Sequence, residues 1–334
     1  MRRSSRLRSL AAGVIAAVTA TGLVTVADTA SAAPTRTADT GAKITAETKV
    51  AAGEVDITIE SPSLGKSVKA RVLLPTGWSE TSTTTYPVLY AYHGGQDDYL
   101  SWAKNTDIEA WARNYNAIVV MPEASNGSYA DWYNYGRRGT PKWETFHTVE
   151  VIQLIERNYR ASGQRAAIGN SSGGQGAFAY AARKPGLFKH VASLSGLLSI
   201  RYAGIPALLL LTNTGNGMDP NAIWGVPYWD DANWAAHDPK ALAEKLRGTG
   251  LFFSSGTTGR PGPGDPNVAP WDIGLLSEVA VGDDNKDFQR RLDQLNVPYT
   301  AHIYGDGRHN WPAWIRESTF IWPTLMQSIG AQRA

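Results

Sequence analysis

The sequence predicts an α/β domain with a mostly parallel central sheet, helices on both faces and a Trp-rich helical insertion. Three observations predict it. Short continuous apolar runs alternate with segments of helical period, the pattern of βα units. A glycine-bracketed serine, Gly169-Asn170-Ser171-Ser172-Gly173, stands between an apolar run and a small-residue helical segment, which reads as strand, sharp turn, helix. Residues 200–248 lack β period and carry Trp224, Trp229 and Trp234, as an irregular helical layer over a sheet would.

The elements follow in order. Arg2, Arg3, Arg6 and Arg8 precede an apolar stretch over 10–27, and Ala30-Ser31-Ala32 closes it with small residues at cleavage spacing. This predicts a secretory signal peptide over 1–32 and an extracellular, bacterial protein. Residues 33–45 have no apolar period and are expected to be disordered. The domain is expected over 46–330. Period-two segments at 54–60 and 68–73 predict an opening hairpin. Continuous apolar runs at 88–92 and 117–121 predict strands buried on both faces, separated by a helix over 106–115. A helix over 145–159 follows, then the strand 166–168 and the helix after Ser171. Strands at 191–194 and 251–255 flank the insertion. A helix over 273–295, a strand over 299–304 and a helix over 311–329 complete the domain. In such a sheet, ligands sit at the carboxyl ends of the strands, where the loops after 88–92, 166–168, 251–255 and 299–304 converge.

Composition excludes several functions. The 334 residues contain no cysteine, so thiol catalysis, thiolate metal sites and disulfides are ruled out. The net charge is +2, with no basic stripe for nucleic acid. Asp283-Asp284-Asn285-Lys286-Asp287 lacks the glycine and distal glutamate of a calcium loop and reads as a solvated turn. No cofactor and no metal are expected, and the protein is expected to be a monomer.

The serine needs a base, a group that orients the base, and donors for an oxyanion. Gly169 and Gly173 bracket Ser171 symmetrically, which selects it over Ser172 as nucleophile. Ser172 then contributes its backbone N–H to the oxyanion hole, and Gly95 of His93-Gly94-Gly95, after an early buried strand, contributes the second. Of the six histidines, His309 lies in the loop after the last strand, where the chain order serine, acid, histidine puts the base. The acid is expected on the loop after 251–255, where Asp265 is the only carboxylate. Asp272, placed to cap the following helix, and Glu278, inside that helix, are the alternatives.

Further motifs add a family. Gln96-Asp97-Asp98-Tyr99, Asp131-Trp132-Tyr133, Lys142-Trp143-Glu144-Thr145-Phe146, Ser193-Leu194-Ser195-Gly196-Leu197-Leu198 and His309-Asn310-Trp311 resemble the secreted mycolyltransferase (antigen 85) and esterase D group of α/β-hydrolases. The resemblance implies an α/β-hydrolase fold and a serine acyl-enzyme mechanism on acyl esters. It maps the triad onto Ser171, Asp265 and His309, with an aspartate where the family has a glutamate, and the oxyanion donors onto Gly95 and Ser172. It places Trp311 on the acceptor side. Trp311 and His93, which stands where the mycolyltransferases carry an aspartate, are the expected substrate-binding residues. The chain lacks the family's early-loop arginine near bound trehalose and the cysteine pair of some members. The expected function is therefore a secreted serine esterase. The alternatives are acyl transfer to a sugar or glycerol hydroxyl, and a noncatalytic matrix-binding module on the same fold.

Overall fold

The computed structural model describes residues 36–137 and 141–334. The expected signal peptide lies outside the described residues. One sheet contains β1 (Lys43–Ala51), β2 (Glu54–Ser61), β3 (Lys66–Leu73), β4 (Tyr86–Tyr92), β5 (Ile118–Pro122), β6 (Ala161–Asn170), β7 (His190–Leu194), β8 (Gly250–Ser255) and β9 (Thr300–Ile303). Their spatial order is β1-β2-β3-β5-β4-β6-β7-β8-β9. Strands β1, β2, β3 and β5 pair antiparallel in turn, and every pairing from β5 through β9 is parallel. This is the α/β-hydrolase fold that the sequence predicts.

The apolar runs become buried strands because each of their faces meets a separate core layer. Along β4, Tyr90 and Tyr92 join a layer with Phe178, Phe253 and Phe288, while Leu89 and Ala91 join another with Val119, Ile168 and Trp314. Helix α5 (Ser172–Arg183) covers the first face, and α9 (Trp311–Ser328) covers the second with Trp314, Ile321, Trp322 and Leu325. Helix α8 spans Ile273–Leu295, as its pattern predicts.

The strand order turns back at β4, which lies between β5 and β6. The loops leaving β4 and β6 therefore meet side by side at a switch point, where open α/β sheets bind ligands. A Cβ on Gly94 would lie 3.4 Å from the Ser171 Cβ, which shows how closely the two loops approach.

Four local expectations differ from the structure, the first being that Asp283–Asp287 is not a solvated turn but lies inside α8, where buried Asp284 accepts from the Leu198 and Ser199 N–H groups. Residues 36–42 are placed, and β1 follows them from Lys43. This segment is held by polar contacts that leave no apolar period: Arg157 pairs with Asp39 at 2.6 Å and Asn158 donates to the Arg36 carbonyl. The helix over 145–159 is split into α3 (Trp143–Thr145), a wide π-helical turn (Phe146–Val151) and α4 (Ile152–Asn158). That turn carries three buried polar side chains, of which Thr148 donates to the Glu144 carbonyl. His147 meets the Tyr180 hydroxyl and the Glu123 carbonyl, and Glu150 accepts from Ser61, Ser63 and Thr40. The helix over 106–115 is two short ones, α1 (Ser101–Asn105) and α2 (Ile108–Arg113).

Candidate active site

Ser171 stands at φ 51°, ψ −123°, between β6 and α5. Few non-glycine residues adopt this backbone, and it is fixed by the Ser171 N–H donating to the Leu194 carbonyl at 2.8 Å. The flanking glycines are required by contact. A Cβ on Gly169 would lie 2.2 Å from the Gly173 carbonyl carbon, and one on Gly173 would lie 2.4 Å from the Tyr92 carbonyl oxygen. The turn thus presents the serine side chain at the mouth of the sheet.

His309 Nε2 lies 2.8 Å from Ser171 Oγ, and His309 Nδ1 lies 2.8 Å from Glu278 Oε2. A carboxylate accepts, so Nδ1 carries the proton and Nε2 accepts from the serine hydroxyl. The His309 backbone N–H donates to the Gly274 carbonyl at 3.1 Å, anchoring the loop after β9 to the first turn of α8. Trp314 stands edge-on to the imidazole, with centroids 5.1 Å apart.

Glu278 is fully buried. Burial pushes its carboxyl pKa up. The hydrogen bond and charge of His309, with donors from Gly256 and Ser195, outweigh that and hold it below the usual range. Its Oε1 accepts from the Gly256 N–H at 2.7 Å, the Ser195 hydroxyl at 2.8 Å and the Tyr304 hydroxyl at 3.2 Å. Gly282 permits this close approach, because a Cβ there would lie 2.3 Å from the Gly256 carbonyl oxygen.

The structure therefore corrects the acid. Asp265 is not beside His309; its Oδ2 accepts from the Gly262 N–H three residues earlier. Its loop joins the loop after β9 farther along, where the Gly307 N–H donates to the Arg260 carbonyl at 2.9 Å, and its carboxylate makes no hydrogen bond to the imidazole. Asp272 caps α8 through the N–H groups of Gly274 and Leu275, and pairs with Arg308 at 2.6 Å. The carboxylate at the imidazole is Glu278, so no aspartate replaces the family's glutamate.

Two expected substrate contacts are also corrected. His93 is buried under the loop after β4 rather than facing the cleft. Its Nε2 accepts from the Ala124 N–H at 2.9 Å, so Nδ1 carries the proton and donates to the Gly94 carbonyl at 2.7 Å. The Tyr129 hydroxyl donates to the His93 carbonyl at 2.7 Å. His93 thus braces the Gly94-Gly95 backbone. Trp311 packs edge-on against Trp102 and Trp314 and is not among the residues lining the cleft.

A cleft of about 290 Å³ lies over Ser171, with Gly95, Ser172 and His309 on its floor. Its apolar wall is not built by the insertion's tryptophans. Leu208 and Leu209 of α6 (Ile205–Gly215) form it, with Leu197 and Val281. Trp224 and Trp234 instead pack on each other at 5.2 Å inside the insertion. The cleft's polar part carries the amides of Gln96, Asn126, Gln175, Asn213 and Asn216. The Gln96 amide donates to Asn216 across it at 2.9 Å. Among the described residues, the lining holds no carboxylate, lysine or arginine. No motif in the sequence marks α6 or Asn126 as part of the site. The run Ala207-Leu208-Leu209-Leu210-Leu211 was the available signal for α6.

Fold and site together are an α/β-hydrolase fold with a hydrogen-bonded serine, histidine and glutamate at its switch point. The profile of the family described as Putative esterase matches residues 61–320, and the chain belongs to that family. It is 31% identical over 261 residues to esterase MT1326 of Mycobacterium tuberculosis, which covers 73% of this chain and 53% of that protein. The chain thus spans about half the length of that relative. It is also 31% identical over 288 residues to the diacylglycerol acyltransferase/mycolyltransferase Ag85A of Mycobacterium leprae, covering 82% and 83% of the two chains. Among solved structures, Mycobacterium tuberculosis MPT51 (FbpC1) superposes with a TM-score of 0.68 at 22% identity, over 81% of this chain and 97% of the other. Among the described residues no helix is long and apolar enough to cross a membrane.

Proposed function

We propose that the protein is a secreted serine esterase that cleaves acyl esters through an acyl-enzyme on Ser171. The observation that carries this reading is the hydrogen-bonded line Ser171–His309–Glu278 at the floor of the cleft. Ser171 Oγ attacks the ester carbon while His309 Nε2 takes its proton. Glu278 holds the Nδ1–H and stabilises the imidazolium that forms. The backbone N–H groups of Gly95 and Ser172 donate to the developing oxyanion. His309 then returns the proton to the departing alkoxide. In the second half, His309 takes a proton from water, whose oxygen attacks the acyl carbon, and Ser171 leaves as its hydroxyl. The completeness of this array supports catalysis over the noncatalytic binding module.

Acyl transfer differs only in the attacking hydroxyl. The relationship to Ag85A and the amide-rich side of the cleft favour it as a second reading. Hydrolysis is preferred because no arginine reaches the cleft among the described residues. The purified protein is incubated with a short-chain p-nitrophenyl ester, then with an acyl donor and excess trehalose. Free acid forming faster than acyl-trehalose is the expected result; the reverse replaces hydrolase with transferase. N-terminal sequencing of protein recovered from culture medium tests export, with Ala33 the expected first residue.

A further inference from the structure

The insertion carries a second recess, of about 450 Å³, that shares no lining residue with the catalytic cleft. Tyr133, Tyr135, Val226, Trp229 and Asp230 line it. Its aromatic rings are displayed to solvent: Trp229 is 87% exposed and Tyr135 49%. They contribute little to the core, which the neighbouring Trp224 and Trp234 fill. The Tyr133 and Tyr135 rings lie 6.2 Å apart.

The backbone beneath these rings is strained and fixed. Asn134, Tyr135 and Tyr228 have φ of 41°, 55° and 66°, a region unfavourable for residues with a Cβ. Hydrogen bonds hold the conformation. The Tyr133 and Asn134 N–H groups donate to the carbonyls of Ile223 and Ala222 at 2.9 and 2.8 Å. The Val226 N–H donates to the Asp230 carboxylate at 2.7 Å, and the Asp230 N–H returns to the Val226 carbonyl at 2.8 Å. Exposed aromatic side chains on a pinned, strained backbone are a preorganised surface, and large exposed apolar groups of this kind mark binding sites.

The lining chemistry selects the ligand. The open face of an indole or phenol is electron-rich and attracts the polarised axial C–H groups of a pyranose. Asp230 accepts from a hydroxyl. Its charge, with burial second and a hydrogen bond between the two third, raises the Tyr133 phenol pKa, so phenol and carboxylate stand as a donor–acceptor pair. A sugar hydroxyl both donates and accepts and fits this pair. The lining has one negative charge and no cation among the described residues, which disfavours anionic ligands. A quaternary ammonium also suits aromatic rings beside a carboxylate, but it needs rings that enclose it. Trp229 stands open to solvent, which suits a flat ring stacked on its face. We propose that this recess binds the pyranose rings of a neutral polysaccharide.

The test is affinity electrophoresis of the purified protein through gels containing hydroxyethyl cellulose, xylan or dextran, with tryptophan fluorescence titration of whichever glycan retards it. At least one glycan is expected to slow the wild type. Trp229→Ala and Tyr135→Ala, both at exposed positions, should weaken that binding by about tenfold or more. Their hydrolysis of a p-nitrophenyl ester should stay within about twofold, because neither residue lines the catalytic cleft and ordinary surface changes have little effect. Absence of retardation by all three glycans overturns the proposal. So does retardation that both variants retain, or a saturable response to choline chloride with none to the glycans. Since the readout is binding, its failure is separate from a failure of the esterase reading.

Discussion

Replacing Glu278 with glutamine should nearly abolish catalysis while leaving the fold in place. The carboxylate's Oε1 is fixed as an acceptor, because the Gly256 backbone N–H at 2.7 Å can only donate. The glutamine oxygen must therefore occupy that position. Its NH2 group then takes the place of Oε2, facing His309 Nδ1. Two donors cannot share that contact, so the imidazole moves its proton to Nε2, which can then no longer accept from Ser171. In a trypsin-like triad, the equivalent acid-to-amide change costs about 10⁴ in kcat by this wrong-tautomer route. A loss of about 10³–10⁴ is expected here, or about 4–5.5 kcal/mol of transition-state stabilisation. Asp265→Asn should retain activity within about twofold, since its hydrogen bond is to the Gly262 N–H and not to His309. The assay is kcat/KM on a p-nitrophenyl ester, with circular dichroism to confirm folding. A folded Glu278→Gln enzyme with near-wild-type turnover, or an inactive Asp265→Asn, would refute the assignment.

Three further outcomes are expected. Ser171→Ala should remove essentially all turnover because no acyl-enzyme can form, while Ser172→Ala should be mild because only its backbone N–H is used; trapping with a fluorophosphonate and mass spectrometry of the labelled peptide decides between them. His93→Gln should lower kcat by about 10²-fold with little change in KM, since loosening the Gly94-Gly95 loop misplaces an oxyanion donor; unchanged kcat per folded molecule would remove the brace. Asp238 is buried, and burial raises its pKa from 3.8 to about 6, the Lys240 N–H and nearby cations opposing this. Its folded pKa exceeds the unfolded one, so stability falls as pH rises between these values and the cost is fully present above about 6. Asp238→Asn should therefore stabilise the protein by up to ~3 kcal/mol at pH 8 and change little near pH 4, as urea unfolding at the two pH values would show.

What the sequence made legible follows from where the free energy resides. Strands β4 and β5 meet a core layer on each face, so they must be continuous apolar runs, and they read as such. Helix α8 has an aspartate cap and a long amphipathic stripe, and both ends were placed correctly. The serine turn was readable because its glycines answer to steric contacts that no side chain satisfies. Strand β1 was not readable. It is an edge strand with mostly exposed side chains, and only Ile44 buries deeply. The segment 36–42 is held by one ion pair and by amide contacts, which carry no period.

The acid was misplaced for a different reason, and the argument extends to other chains of this order. The expectation looked for a carboxylate on the loop, as if a group must sit at a sheet edge to reach an imidazole there. Here the reach comes from a helix. Leu275, Glu278, Val281, Asn285, Phe288 and Leu292 are all buried, spaced three and four residues apart along one face of α8. A glutamate in that stripe has no solvent to charge it and must be neutralised by partners, at a desolvation cost of several kcal/mol otherwise. Such a position is a stronger indicator of function than a carboxylate in a glycine-rich loop, where Asp265 is only half-buried and takes a backbone N–H of its own loop. The stripe was visible in the sequence through Phe288 and Leu292. Extended about three turns toward the amino end, it reaches Glu278.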